Sequence, residues 1–197
     1  MFNKLVSIAT GRNVLRSLIA TLVFIVVMNI GATAFFRFTH GVGILDTGGG
    51  ANLLDNRTGG YSPESAYQMI SAYGSQGIRY HLMLSLADAF FPPTLALSLF
   101  VTIVYFYTPF FQSQPLTRWL TALPIVYLFS DYMENIGIVT MLLSFPFSVP
   151  GMARLANFMF MVKNLSSTAA IVANLIGLVL LGVRLVRKRP PRSAFES

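Results

Sequence analysis

Asp131, Glu134 and Asn135 stand at i, i+3 and i+4, so on a helix two carboxyls and a carboxamide share one side. They fall inside an otherwise apolar stretch. Paired carboxyls at that spacing suit general acid–base work, in which one group keeps a proton that its neighbour has lost. Asp88 and Lys163 sit in apolar stretches of the same kind, so three of the seven acids but one of the fourteen bases are placed this way. A charge at a bilayer centre costs about 2.5–3.5 kcal/mol even on insertion scales, so such residues turn inward and pair. Three acids against one base leave a surplus of negative charge. At least one carboxyl is therefore expected to hold a proton, Glu134 first because Asp131 lies one turn away. The alternatives are water, a bound cation, or Arg79 and Arg154 reaching in from the rim. In this reading Glu134 is the catalytic acid, Asp131 and Asp88 its electrostatic partners, and Lys163 an orienting cation.

The elements that must hold these groups follow from composition. Of 197 residues, 54% are hydrophobic and 11% charged, against roughly a quarter charged in soluble domains. Mean hydropathy is +0.64. Apolar runs of about 20 residues identify an integral membrane protein. The runs are continuous rather than alternating, which selects helices over strands. We expect an all-α fold: a single four-helix transmembrane domain over residues 1–197, with spans near 17–36, 80–107, 119–143 and 155–183. An outer loop, 37–79, and a cytoplasmic tail, 184–197, complete it. At 1.5 Å per residue, Asp88, Glu134, Lys163 and Asn29 lie about 10–15 Å inside the outer ends of their spans. His81, Ser85 and Asp88 line one face of span 2, Lys163, Ser166 and Ser167 one face of span 4, and Asn29 and Thr33 one face of span 1. One interior polar cluster satisfies all these directions. Its expected members beside the acids are Asn135, Lys163, His81, Ser85, Asn29 and Ser167. Phe91-Pro92-Pro93 follows Asp88 by one turn, and proline frees the carbonyl four residues back. Pro92 releases that of Asp88 and Pro93 that of Ala89, which predicts a kink and extra acceptors there.

Orientation follows from Lys and Arg. With the N-terminus inside, nine fall on the cytoplasmic side (Lys4, Arg12, Arg16, Arg118, Arg184, Arg187, Lys188, Arg189, Arg192) and four outside (Arg37, Arg57, Arg79, Arg154). The positive-inside rule then puts both termini in the cytoplasm. The net charge of +7 is explained by this distribution and by anionic lipid, without nucleic acid. Ala32-Thr33-Ala34 after an apolar run imitates a signal-cleavage site. The run is longer than a usual signal core and Phe35-Phe36 follow, so an uncleaved helix is preferred. There is no Cys, and with two His neither a disulfide framework nor a metal site is expected. No cofactor is expected either.

The outer loop contains the Gly-rich "DTGGGANLLDNRTGG", without the Lys-Ser/Thr of a phosphate-binding loop. Asp46-Thr47-Gly48 matches the aspartic-protease tripeptide, but a short loop cannot supply the second Asp and the β-architecture. Asn56-Arg57-Thr58 forms a glycosylation sequon, common by chance. Ser62-Pro63-Glu64 then reads as a helix start. Ala66, Met69, Ile70 and Tyr73 share a face, and Gly74 and Gly77 read as its end. Residues 62–74 are expected as a short amphipathic helix on the outer surface, either capping the bundle or resting in the headgroups.

Gly60-Tyr61-Ser62 with Glu64 and Tyr67, then Gly77, Arg79 and Tyr80, Asp88 with Pro92, and Asp131-x-x-Glu134-Asn135 form a pattern. It resembles one that recurs in small bacterial four-span membrane proteins. The likeness covers roughly residues 60–165, with D-x-x-E-N its most specific part. It implies a bacterial integral membrane protein and nothing about substrate, and the bacterial inner membrane is the expected location. The plan of four helices with buried acids is also similar in outline to sterol-isomerase-type and sigma-2-receptor-type proteins, with no shared motif.

Three functions fit the residues. The cluster is an interhelical staple, in a structural protein or an accessory subunit. Alternatively it is a membrane-embedded site that binds, or acts by acid catalysis on, a lipid-like molecule. Thirdly it relays protons or ions, though small size and the lack of an inverted repeat count against a complete transporter. Enzyme and non-enzyme readings both stay open. The expected partners are the lipid bilayer, a lipid-like small molecule and, in the staple reading, a membrane complex or homo-oligomer.

Overall fold

The computed structural model describes residues 7–27, 30, 54, 59–110 and 115–187. Asn29, Thr33, Ala32-Thr33-Ala34, most of the Gly-rich loop and the end of the basic tail lie outside the described residues, and so do the expectations that fall on them. The described residues form helices α1 (Gly11–Val27), α2 (Pro63–Asp88), α3 (Phe91–Tyr107), α4 (Pro115–Ser144) and α5 (Pro150–Arg187), with no strand among them. The end carrying the start of α2 and the α4–α5 turn is called upper here; the end carrying the start of α1 is lower.

Helix α1 opens where Thr10 Oγ1 accepts from Asn13 N–H at 3.3 Å. Its buried residues, Val14 and Thr21, are two turns apart, and Leu15, Leu18, Leu22 and Val23 face outward. It therefore lies against the rest by one narrow stripe, chiefly on α3: Thr21 Oγ1 meets Ser98 Oγ at 2.7 Å, and the Phe24 and Phe91 rings stack at 5.8 Å.

Helix α2 begins as its sequence predicts. Ser62 Oγ accepts from Ser65 N–H and Ser65 Oγ from Ser62 N–H, a reciprocal cap, with Pro63 in the first turn. It does not end at Gly74. That residue takes φ 62°, ψ −178°, a conformation nearly exclusive to glycine, and the helix resumes after it. The segment expected as a separate surface helix is thus the upper limb of a bent one. Its Ala66, Ile70 and Tyr73 are buried with Ile138, Met141 and Leu142 of α4 and Ala153 and Ala156 of α5. That is the capping alternative; resting in headgroups would leave this face uncovered by protein.

The expected second span, 80–107, is divided. Ala89 and Phe90 link α2 to α3 with both residues still right-handed (φ −54°, ψ −20°; φ −93°, ψ −17°). The helical conformation is kept through the link while the hydrogen-bond ladder is interrupted, as Pro92 and Pro93 require. Helices α4 and α5 contain the expected third and fourth spans and extend beyond both ends of each. They pack closely at Gly137, where a Cβ would stand 2.8 Å from that of Ala156. Gly177 does the same for α5 against Phe106 and Tyr107 of α3. Small residues allow this backbone approach.

Among the described residues two helical stretches are long and apolar enough to cross a membrane: Pro63–Tyr107, bent as described, and Pro150–Arg187. The most apolar part of α5 is only 17% buried, so most of its apolar surface is left facing outward. Helix α1 is described over 17 residues, and α4 is diluted by its own polar segment, Ser130–Asn135.

Candidate functional site

Helix α4 buries Tyr127, Ser130, Asp131, Glu134 and Ile138 along one face, so both acids point into the bundle. Asp131 is 4% exposed and Glu134 1%. Lys163 reaches them from α5. Its Nζ lies 2.5 Å from Glu134 Oε2 and 3.4 Å from Asp131 Oδ1, with the side chain 16% exposed. The same ammonium stands 5.6 Å from the centre of the Phe160 ring, one turn earlier, which adds a cation–π contact in a desolvated place.

Asn135 continues the network. Its Nδ2 donates to Asp131 Oδ2 at 3.1 Å on its own helix and to Asp88 Oδ2 at 3.4 Å across to the end of α2. Lys163, Glu134, Asp131, Asn135 and Asp88 thus form one chain of contacts joining α5, α4 and α2. Beside it, the Tyr132 hydroxyl donates to the carbonyl of Ala89 at 2.8 Å. This is the acceptor that Pro93 frees. Buried Tyr127, one turn before Asp131, lies in the field of Asp131, Asp88 and Glu134.

The other expected members divide. His81 and Ser85 are buried on the α2 face that ends at Asp88, and the His81 ring meets that of Tyr73 edge-on at 5.8 Å. Ser167 donates to the carbonyl of Asn164 on its own helix. Its neighbour Ser166 is the buried one and bonds back to Val162. Arg79 and Arg154 are exposed, and Arg154 acts on Glu64 near the start of α2. Among the described residues no group of three His, Cys, Asp or Glu is placed to hold a metal ion.

Tyr127, Tyr132 and Phe160 were not singled out by the sequence. The signal was there for two of them, since Tyr127 precedes Asp131 by four residues and Phe160 precedes Lys163 by three. No protein-family model, curated protein or solved structure matches the chain.

Proposed function

We propose that the chain is a four-span protein of a bacterial cytoplasmic membrane, both termini inside, whose Lys163–Glu134–Asp131–Asn135–Asp88 network is an internal ionic tie. The bacterial assignment rests on the sequence pattern around Asp131-x-x-Glu134-Asn135. Outward apolar faces on α1 and α5, and nine Lys and Arg on one side against four, support the placement.

One observation carries the tie: Lys163 Nζ stands 2.5 Å from Glu134 Oε2, on a residue 1% exposed. A general acid must present a proton to a substrate. Glu134 faces an ammonium instead, which also reaches Asp131 at 3.4 Å. Asp131 and Asp88 are joined in turn through the Asn135 amide. Asn135 and Lys163 tie the end of α2 and the interiors of α4 and α5 to one another, which fits a structural or accessory membrane protein better than an acid catalyst.

The test is a double-mutant cycle on thermal stability in detergent, with Lys163→Met, Glu134→Gln and the pair. Breaking a buried pair by removing one partner costs about 3–5 kcal/mol, because the other charge is left uncompensated. Each single change is expected to lose that order of stability, and the double change less than the sum. Additive losses, or a Glu134→Gln protein as stable as the parent, would refute the tie. A stable Glu134→Gln protein that had also shed a co-purifying amphiphile would favour the lipid-site reading.

A further inference from the structure

A second set of polar side chains meets well below the acids, between α1, α3 and α5. Thr21 Oγ1 and Ser98 Oγ are 2.7 Å apart, Thr102 donates to the Ser98 carbonyl at 2.6 Å, and Asn174 Nδ2 donates to the Ala170 carbonyl at 2.9 Å. The three hydroxyls are spent on one another and on backbone, while the Asn174 Oδ1 is buried without a hydrogen-bond partner among the described residues. Beside them lies a cavity of about 250 Å³, walled mainly by Leu18, Leu95, Phe106, Ile171, Leu175 and Leu178. Leu18, Leu175 and Leu178 are about half exposed, so the cavity opens on the apolar flank between α1 and α5. A wall of this kind repels water and charged solutes and accepts a hydrocarbon chain.

The lower rim is different in character. A Cβ at Gly11 would lie 3.3 Å from the Tyr105 hydroxyl, so Arg12 enters α1 beside the lower end of α3. Near that end Arg184 donates to the Pro109 carbonyl, its guanidinium 5.3 Å from the centre of the Phe110 ring. Phe106, close to both contacts in sequence, lines the cavity. The lower end of the apolar slot thus lies toward the helix ends that carry Arg12 and Arg184. Arg184 keeps further N–H donors after its bond to Pro109.

We propose that this cavity takes one acyl chain of an anionic phospholipid from the cytoplasmic leaflet, with its phosphate headgroup met by Arg12 and Arg184. Guanidinium and phosphate match in charge and in donor geometry. The inference rests on the membrane placement proposed above. Side-specific labelling tests that placement with no lipid readout, so the two failures are distinguishable.

The test is native mass spectrometry of the full chain after exchange through vesicles of equal parts phosphatidylglycerol and phosphatidylcholine. The parent is expected to retain a single phosphatidylglycerol in preference to phosphatidylcholine. Ile171→Phe and Leu95→Phe fill the slot from two different helices and are expected to lose it. Arg12→Gln and Arg184→Gln are each expected to lower phosphatidylglycerol retention roughly fivefold and leave phosphatidylcholine unchanged. Circular dichroism melting establishes that the filled variants fold. Folded, filled variants that retain phosphatidylglycerol like the parent would overturn the proposal, as would equal retention of both lipids. If both filled variants unfold, the headgroup preference and the arginine variants decide alone, and no preference ends it.

Discussion

Glu64 is fully exposed, yet its carboxyl is held below the ordinary value of 4.5, first by hydrogen bonding to its own backbone amide, then by the Ser62 hydroxyl, with Arg154 adding opposite charge. Both features follow from its place in the first turn of α2. A carboxyl lowered in the folded state adds stability above its unfolded value and loses it as pH falls through the folded one. The first turn of α2 is therefore expected to lose amide-exchange protection as pH drops below 4.5, and Glu64→Gln to abolish that drop. An unchanged pH profile in the variant would show that the carboxyl contributes nothing there. Tyr132 works differently, because its hydroxyl satisfies a carbonyl that has no helical donor. Tyr132→Phe is expected to cost about 1 kcal/mol in thermal unfolding, the lower end of the penalty for an unpaired acceptor, because the Ala89 carbonyl is only partly buried. Restoring the missing donor with Pro93→Ala should recover most of that loss; no recovery would mean that the hydroxyl matters for another reason. The cluster's centre was legible in the sequence because Asp88, Asp131, Glu134 and Lys163 are too costly to face lipid. Serines carry no such penalty and can bond their own helix. That is why Ser167 could be assigned to the cluster by spacing alone while its hydroxyl turns to Asn164.

Glycines make the sign of a helix substitution depend on surroundings. Gly182 has open space around it on α5, so Gly182→Ala is expected to stabilise by about 0.5–1 kcal/mol through backbone entropy. At Gly137 an added methyl meets Ala156 Cβ at 2.8 Å and the Met152 carbonyl at 3.1 Å, so Gly137→Ala is expected to destabilise by about 1–3 kcal/mol. Gly74 also has open space, but its φ of 62° makes Gly74→Ala costly by about 1–3 kcal/mol. Melting temperatures of the three variants check the order; a destabilised Gly182→Ala would show that α5 is covered there by something outside the described chain. Element by element, the starts of α2 and α3 and the cores of α4 and α5 were readable from caps, prolines and apolar runs. What escaped the sequence was continuity. Gly74 and Gly77 carry the usual signal of a helix end, but apolar residues resume at Ile78, and tertiary packing of Tyr73 and Tyr80 holds both limbs against α4. The interruption at Pro92 and Pro93, by contrast, was readable from the prolines, and it divides the expected second span into two helices.

At the scale of the whole molecule, apolar faces turn outward at several heights. Trp119, Ile125 and Phe129 do so on α4, and Leu165, Leu175 and Val179 on α5. In water, exposed patches of this extent would drive association, whereas a bilayer covers them. The polar interruption in α4 is buried, since Asp131 and Glu134 face Lys163 and Asn135. A helix whose acids are enclosed by partners can cross lipid although its mean hydropathy is modest, and the four-span placement depends on that point for α4. The chain has no Cys, so single cysteines report topology without background. Ser7→Cys, Gln68→Cys, Leu116→Cys and Phe147→Cys each sit at an exposed position flanking or beyond a proposed span. With a membrane-impermeant maleimide on intact cells, the Gln68 and Phe147 variants are expected to label directly. The Ser7 and Leu116 variants should label only after permeabilisation. Leu116 and Phe147 variants labelling from the same side would show that α4 does not cross, and Ser7 and Gln68 variants doing so would show the same for α1. The first result would take α4, and the ionic network it carries, out of the hydrocarbon. Lys163 and Glu134 would still be enclosed by protein, 16% and 1% exposed, so their pairing would keep the energetics of a buried pair and only the argument from lipid would fall.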